Sequence, residues 1–169
     1  RYRRHAATAR ASEREWSAEV LEPTIGALYL YPVKSCRGLA RTEVSVGPMG
    51  IEHDRQWMII DERGMFVAQG GDGVGVAVPS LCLIDTAIEG DTLRLSASGM
   101  PPLDLPLAGA AGETRAVQVW NSHTLGIDQG DTAADWVSTF ISRERPGSYR
   151  VVRMPDDGRQ GRLEREGTE

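Results

Sequence analysis

The chain has 169 residues, of which 40% are hydrophobic and 25% charged, ordinary proportions for one globular domain with a sizeable core. Its formal charge of −5 argues against a broad nucleic-acid surface, which needs Lys and Arg to neutralise phosphates, so an anion site here has to be local. Two cysteines, Cys36 and Cys82, are too few for a disulfide framework or a four-thiolate metal site, and no apolar run approaches the roughly 20 residues of a membrane span. These observations predict a cytoplasmic protein that contacts neither nucleic acid nor membrane.

The opening "RYRRHAATARASEREW" is rich in Arg and Ala, but Glu13, Glu15 and Glu19 are acids that a transit peptide avoids. Ser12 with Glu15 three residues later has the form of a capping box, and Pro23 would end the short helix it starts. Such a helix is too short to persist alone, so residues 1–24 are expected to be flexible or partly helical. From Ile25 the hydrophobic period becomes two: "IGALYLYPV" and "RTEVSV" alternate, and "RQWMII" and "MFVAQ" are β-branched or aromatic-rich runs. "DERG" after Ile60 and "EGDT" after Ile88 supply hairpin residues. The glycine-dense stretch from Gly70 to Ser80 reads as a mobile loop at the rim.

"LCLIDTAI", "DTLRLSAS", "LDLPL", "RAVQVW" and "HTLGID" continue the strands at the spacing of about 8 to 12 residues typical of all-β folds. One helix follows, "AADWVSTFI", capped by Asp131 or Thr132 and presenting Trp136, Val137, Phe140 and Ile141 on one face. Pro146 and Gly147 close its exit, and "SYRVVRM" is a last strand. The fold class is thus mainly β: an antiparallel β-barrel or half-barrel over residues 25–154 with one C-terminal helix, and a charged tail or linker over 155–169. Leu28, Leu30, Trp57, Ile59, Leu83 and Leu93 are the candidate core positions by same-face spacing.

The chemistry concentrates in "PVKSCRG". Pro32 ends a strand, Gly38 permits a sharp turn, and between them stand an ammonium, a hydroxyl, a thiol and a guanidinium. Lys34, Ser35 and Arg37, with backbone N–H groups of the turn, make an oxyanion-binding set. Basic residues in a surface turn are more often simply solvated, but "GIEHDRQW" adds Arg55 at the mouth of another strand, with Asp54 placed to orient it. His53 has no second ligand and reads as a surface residue. Flanking cations make Cys36 a nucleophile candidate, yet no base accompanies it; Cys82, within "SLCLI", reads as core.

Together "LYLYPVKSCRGL", "GPMGIEHDRQWMIIDERGMFVAQ", "AADWVSTFIS" and "YRVVRM" resemble the MOSC N-terminal β-barrel domain family, the domain that precedes the MOSC (molybdenum cofactor sulfurase C-terminal) domain in molybdenum cofactor proteins. The resemblance implies a barrel that packs beside a MOSC domain, in cis or trans, and meets the phosphate end of the molybdenum cofactor (molybdopterin) with Lys34, Ser35 and Arg55, and with Arg37 in addition. It implies reduction of N-hydroxylated compounds or sulfur transfer in a full-length protein, with an electron-transfer protein as a further partner. Where relatives read like "FLTQR" this chain reads "FVAQG", so Gly70 replaces an Arg. Neither Cys36 nor Cys82 matches the family's molybdenum-ligating cysteine, which lies beyond the barrel. The chain alone is therefore expected to hold no complete redox site and no bound cofactor, and to be a piece of a two-domain protein. The alternatives are a stand-alone module for a small phosphorylated ligand and a protein-interaction domain.

Overall fold

The computed structural model describes residues 23–70, 75–109 and 112–155. The expected N-terminal helix and the charged tail lie outside these. The element order is β1 (Leu28–Leu30), β2 (Leu39–Arg41), β3 (Val46–Gly47), β4 (Gly50–Ile51), β5 (Trp57–Asp61), β6 (Val67–Ala68) and β7 (Val76–Ala77). After a 3-10 turn (Pro79–Leu83) come β8 (Asp85–Glu89), β9 (Thr92–Ser96), β10 (Leu103–Pro106), β11 (Thr114–Val119), β12 (Ser122–Asp128), helix α1 (Asp131–Ile141) and β13 (Tyr149–Arg153).

The main sheet has the order β11-β12-β13-β5 and a second the order β10-β9-β8, with two-stranded pairs β1-β2, β3-β4 and β6-β7 around them. All pairings are antiparallel except β6 with β7. The sheets stay open, which makes the mainly β molecule a half-barrel with one C-terminal helix.

Period two explains how the main sheet is covered on both sides. Trp57 and Ile59 of β5, with Val151 of β13, join the larger core, in which Trp136, Val137, Phe140 and Ile141 of α1 are buried. Met58, Ile60 and Val152 face the other way and pack with Phe66, Ala68 and Val117. Leu93 and Leu95 of β9, and Leu103 and Leu105 of β10, close the larger core, while Arg94 on the outer face of β9 pairs with Asp104 and Glu89.

Three expectations need correction. Leu83 is exposed (55%) whereas Leu81 and Ile84 are fully buried, because Pro79 starts a 3-10 turn whose inward positions recur every three residues, not every two. Leu28 is only half-buried on β1, a strand that pairs with β2 alone. Of the glycine-dense stretch, residues 71–74 lie outside the described residues, and Val76 and Ala77 pair with Val67 and Ala68. Finally, α1 is capped by Gly130 at φ 89° with no side-chain cap; Asp128 Oδ1 accepts the Gly130 N–H at 2.8 Å, and Asp131 pairs with Arg150 instead.

Candidate functional site

Backbone hydrogen bonds zip the segment 31–34 to the segment 54–57, and that pairing sets the site. The Arg55 N–H donates to Tyr31 O at 2.7 Å, Trp57 N–H to Pro32 O at 3.1 Å and Lys34 N–H to Trp57 O at 2.8 Å. Lys34 and Arg55, 21 positions apart in the chain, are thereby carried to one place. A tight turn follows: Cys36 N–H donates to Val33 O at 3.2 Å, and Ser35 takes φ 70°, as the third residue of a type II turn does. Gln69 Nε2 donates to Ser35 O at 2.6 Å and fixes the turn against the end of β6.

The result is a cavity of about 440 Å³ lined by Lys34, Ser35, Arg55, Phe66, Gln69 and Trp120, among others. A second hollow of about 630 Å³, whose walls include Met58, Val119, His123, Leu125 and Met154, adjoins it; Lys34, Arg55 and Trp120 border both. Among the described residues, four non-glycine positions have positive φ: Ser35, His53, Arg55 and Trp120. Three of the four line this cavity, so backbone strain is concentrated where the polar groups converge.

Electrostatics follow from the packing. Lys34 is half-buried, and its pKa is lowered first by that burial and then by the positive charge of Arg55, with Asp54 opposing. Asp54 does orient the cation: one carboxylate oxygen accepts the Tyr31 N–H at 2.9 Å and the other accepts the Arg55 guanidinium. Arg55 also lies over the Tyr31 ring, 5.5 Å from its centroid. Two cations held together with a hydroxyl and the amides of a tight turn gain from an anion between them.

Not every candidate joins the cavity. Arg37 is outside its lining and pairs with Asp85 at 2.8 Å, while its backbone N–H and C=O bond Ile84 O and Thr86 Oγ1. The two cysteines exchange the environments expected of them. Cys36 is buried, and burial pushes its thiol up to about 12, with Cys82 adding in the same direction; Cys82 is exposed on the 3-10 turn. A thiol so buried is no nucleophile. His53 is half-buried, and its Nδ1 is buried without a hydrogen-bond partner. Among the described residues no group of three His, Cys, Asp or Glu side chains could hold a metal ion.

Trp120 and Tyr31 were missed in the sequence. The signal for Trp120 was there, since an aromatic in the two-residue turn between β11 and β12, next to Asn121, has no core to enter. Gly70 also borders the cavity, and a Cβ built on it meets nothing within 4 Å. A side chain at this position could therefore start without a clash.

The molecule is thus an open β half-barrel with Lys34 and Arg55 gathered at one cavity. The MOSC N-terminal beta barrel domain family matches residues 22–144, and the chain belongs to that family. It is similar to human molybdenum cofactor sulfurase, 33% identical over 138 residues that make up 76% of this chain and 15% of the relative. It is also similar to mouse mitochondrial amidoxime-reducing component 1, 35% identical over 126 residues, 72% of this chain and 35% of the relative. The chain therefore spans between about a seventh and about a third of these relatives. A solution structure of a Bordetella bronchiseptica protein shares the fold, with a TM-score of 0.50 at 19% identity, covering 73% of this chain and 99% of the other. No helix among the described residues is long and apolar enough to cross a membrane.

Proposed function

We propose that this domain helps to hold the molybdenum cofactor by its phosphate end in a protein whose MOSC domain supplies the rest of the site. The observation that carries the reading is the convergence of Lys34, Ser35 and Arg55 on one cavity, with Lys34 half-buried beside a second cation. In this reading Lys34 contributes a point charge, Arg55 a planar fork pre-oriented by Asp54, and the Ser35 turn a hydroxyl and backbone donors. The donor set fits a phosphate and does not fit molybdenum, because Cys36 is a buried thiol rather than a thiolate. When bound, the cofactor supplies redox or sulfur-transfer chemistry, while these residues bind and orient it. On the pattern of the relatives' names, the whole protein would reduce amidoxime-like N-hydroxylated compounds or transfer sulfur, with an electron-transfer protein as partner in the first case. The hollow beside Met58, Val119 and Met154, where β13 ends and the chain leaves the sheet, is the face against which the MOSC domain would shield the cradle.

Titration of inorganic phosphate followed by amide NMR tests the cradle directly. Shifts at residues 34–38 and at Arg55 are expected. Each charge-assisted contact contributes about 1.5 to 3 kcal/mol when shielded and much less when exposed, so binding to the lone domain should be weak. Lys34→Ala should abolish the shifts. Silence of these amides up to millimolar phosphate, both in this chain and in one extended by a MOSC domain, refutes the reading.

A further inference from the structure

We propose that Trp120 is a stacking platform for a planar heterocycle whose phosphate sits between Lys34 and Arg55. The inference rests on the cradle reading above and adds the other half of the ligand.

The strands β11 and β12 end their register at Val119 opposite Ser122, leaving Trp120 and Asn121 as a two-residue connection. Trp120 has φ 54° there. A positive φ at the first central position of such a hairpin favours glycine, and a bulky aromatic is the unfavourable choice. Local stability therefore does not explain the residue. Its side chain finds little cover either, since Trp120 remains 42% exposed.

The surroundings hold it rigidly all the same. Gln118 Nε2 donates to Trp120 O at 2.9 Å. The same Gln118 accepts the Phe66 N–H through its backbone oxygen and donates its own N–H to Gly64 O, both at 2.9 Å. The Phe66 ring meets the indole edge-on, with centroids 5.8 Å apart and planes at 80°. An indole met edge-on by Phe66 and still 42% exposed on a strained turn has surface left for a further partner.

Its position indicates the partner. Among the described residues, Trp120, Lys34 and Arg55 border both hollows, so the indole stands at the same threshold as the two cations. An anion between the cations would bring whatever it is attached to against the indole. A flat, electron-poor ring suits that surface because stacking is tolerant of ring identity and needs no further donor. The ligand class is accordingly a phosphorylated planar heterocycle.

Three probes separate the parts: inorganic phosphate, hydroxymethylpterin and hydroxymethylpterin phosphate, each titrated by NMR into the parent chain, Trp120→Gly and Trp120→Phe. Glycine suits the turn, so Trp120→Gly should keep the fold, checked by thermal unfolding at or above the parent's midpoint. It is expected to bind inorganic phosphate like the parent and to bind the phosphopterin about tenfold more weakly, while Trp120→Phe stays within about threefold. Equal phosphopterin affinity in Trp120→Gly and parent, or equal losses for phosphate and phosphopterin, overturns the platform while leaving the cradle standing. If neither phosphate nor phosphopterin moves the Lys34 and Arg55 amides of the parent, the cradle reading fails and the platform falls with it.

Discussion

Replacing Asp128 by Asn should destabilise the domain by about 2 to 3 kcal/mol at neutral pH. Asp128 ends β12 with 4% of its surface exposed, and its carboxylate gathers Arg115 from β11, Arg150 from β13 and the Gly130 N–H at the start of α1. Burial by itself would raise its pKa, but the bonds from Arg150, Gly130 and Arg115 together hold it below the usual carboxylate range. Breaking a buried pair by removing one partner typically costs about 3 to 5 kcal/mol. Here the cations are not orphaned, since Arg150 keeps Asp131 at 2.8 Å and Arg115 keeps Glu113 at 2.9 Å. The expected loss therefore lies below that range.

For a domain of this size the loss corresponds to a fall in melting temperature of roughly 10 °C. Because the folded-state pKa is depressed, the carboxylate's contribution is complete above the unfolded value near 4 and disappears as pH falls through the lower folded value. Urea unfolding of the parent and Asp128→Asn at pH 7 and pH 3 should show the gap narrowing in acid. Asp104→Asn, which disrupts the exposed Arg94 pair, serves as the control with a much smaller effect. A loss below about 0.5 kcal/mol at pH 7, or a loss that does not change between the two pH values, would refute this account of the network.

Two further outcomes follow from the site. An aromatic disulfide reagent at pH 8 should titrate Cys82 in the native protein and leave Cys36 untouched until denaturant is added, because Cys36 is buried with its thiol pushed up to about 12; rapid native reaction of two thiols would contradict the burial of the Ser35 turn. Gly70→Arg should strengthen inorganic phosphate binding by roughly three- to tenfold, since open space surrounds the absent Cβ at the cavity's edge and one more cation there adds a charge-assisted contact. Unchanged affinity by NMR titration would place the anion elsewhere.

The mainly β fold, the run of hairpins and the amphipathic final helix are legible in the residue order, because they depend on local periodicity. Trp57 and Ile59, or Trp136 and Phe140, sit where period two and period 3.6 put them. The family was legible for a related reason: the turn residues of "PVKSCRG" and the strand start in "HDRQW" are contiguous in sequence. Where local rules competed, the sequence misled. Pro79 turned an apparent strand into a 3-10 turn, which put Leu83 and Cys82 outward and Leu81 inward. The site depends on long-range pairing, since the convergence of Lys34 with Arg55 rests on backbone hydrogen bonds between segments about twenty residues apart. The same long-range contacts drew Arg37 away to Asp85 and tied three elements to Asp128. They also brought the hairpin tip at Trp120 against Phe66 beside the two cations. No periodicity encodes such contacts, because they depend on strand order and register, which are fixed only when the two faces of the main sheet choose their cores.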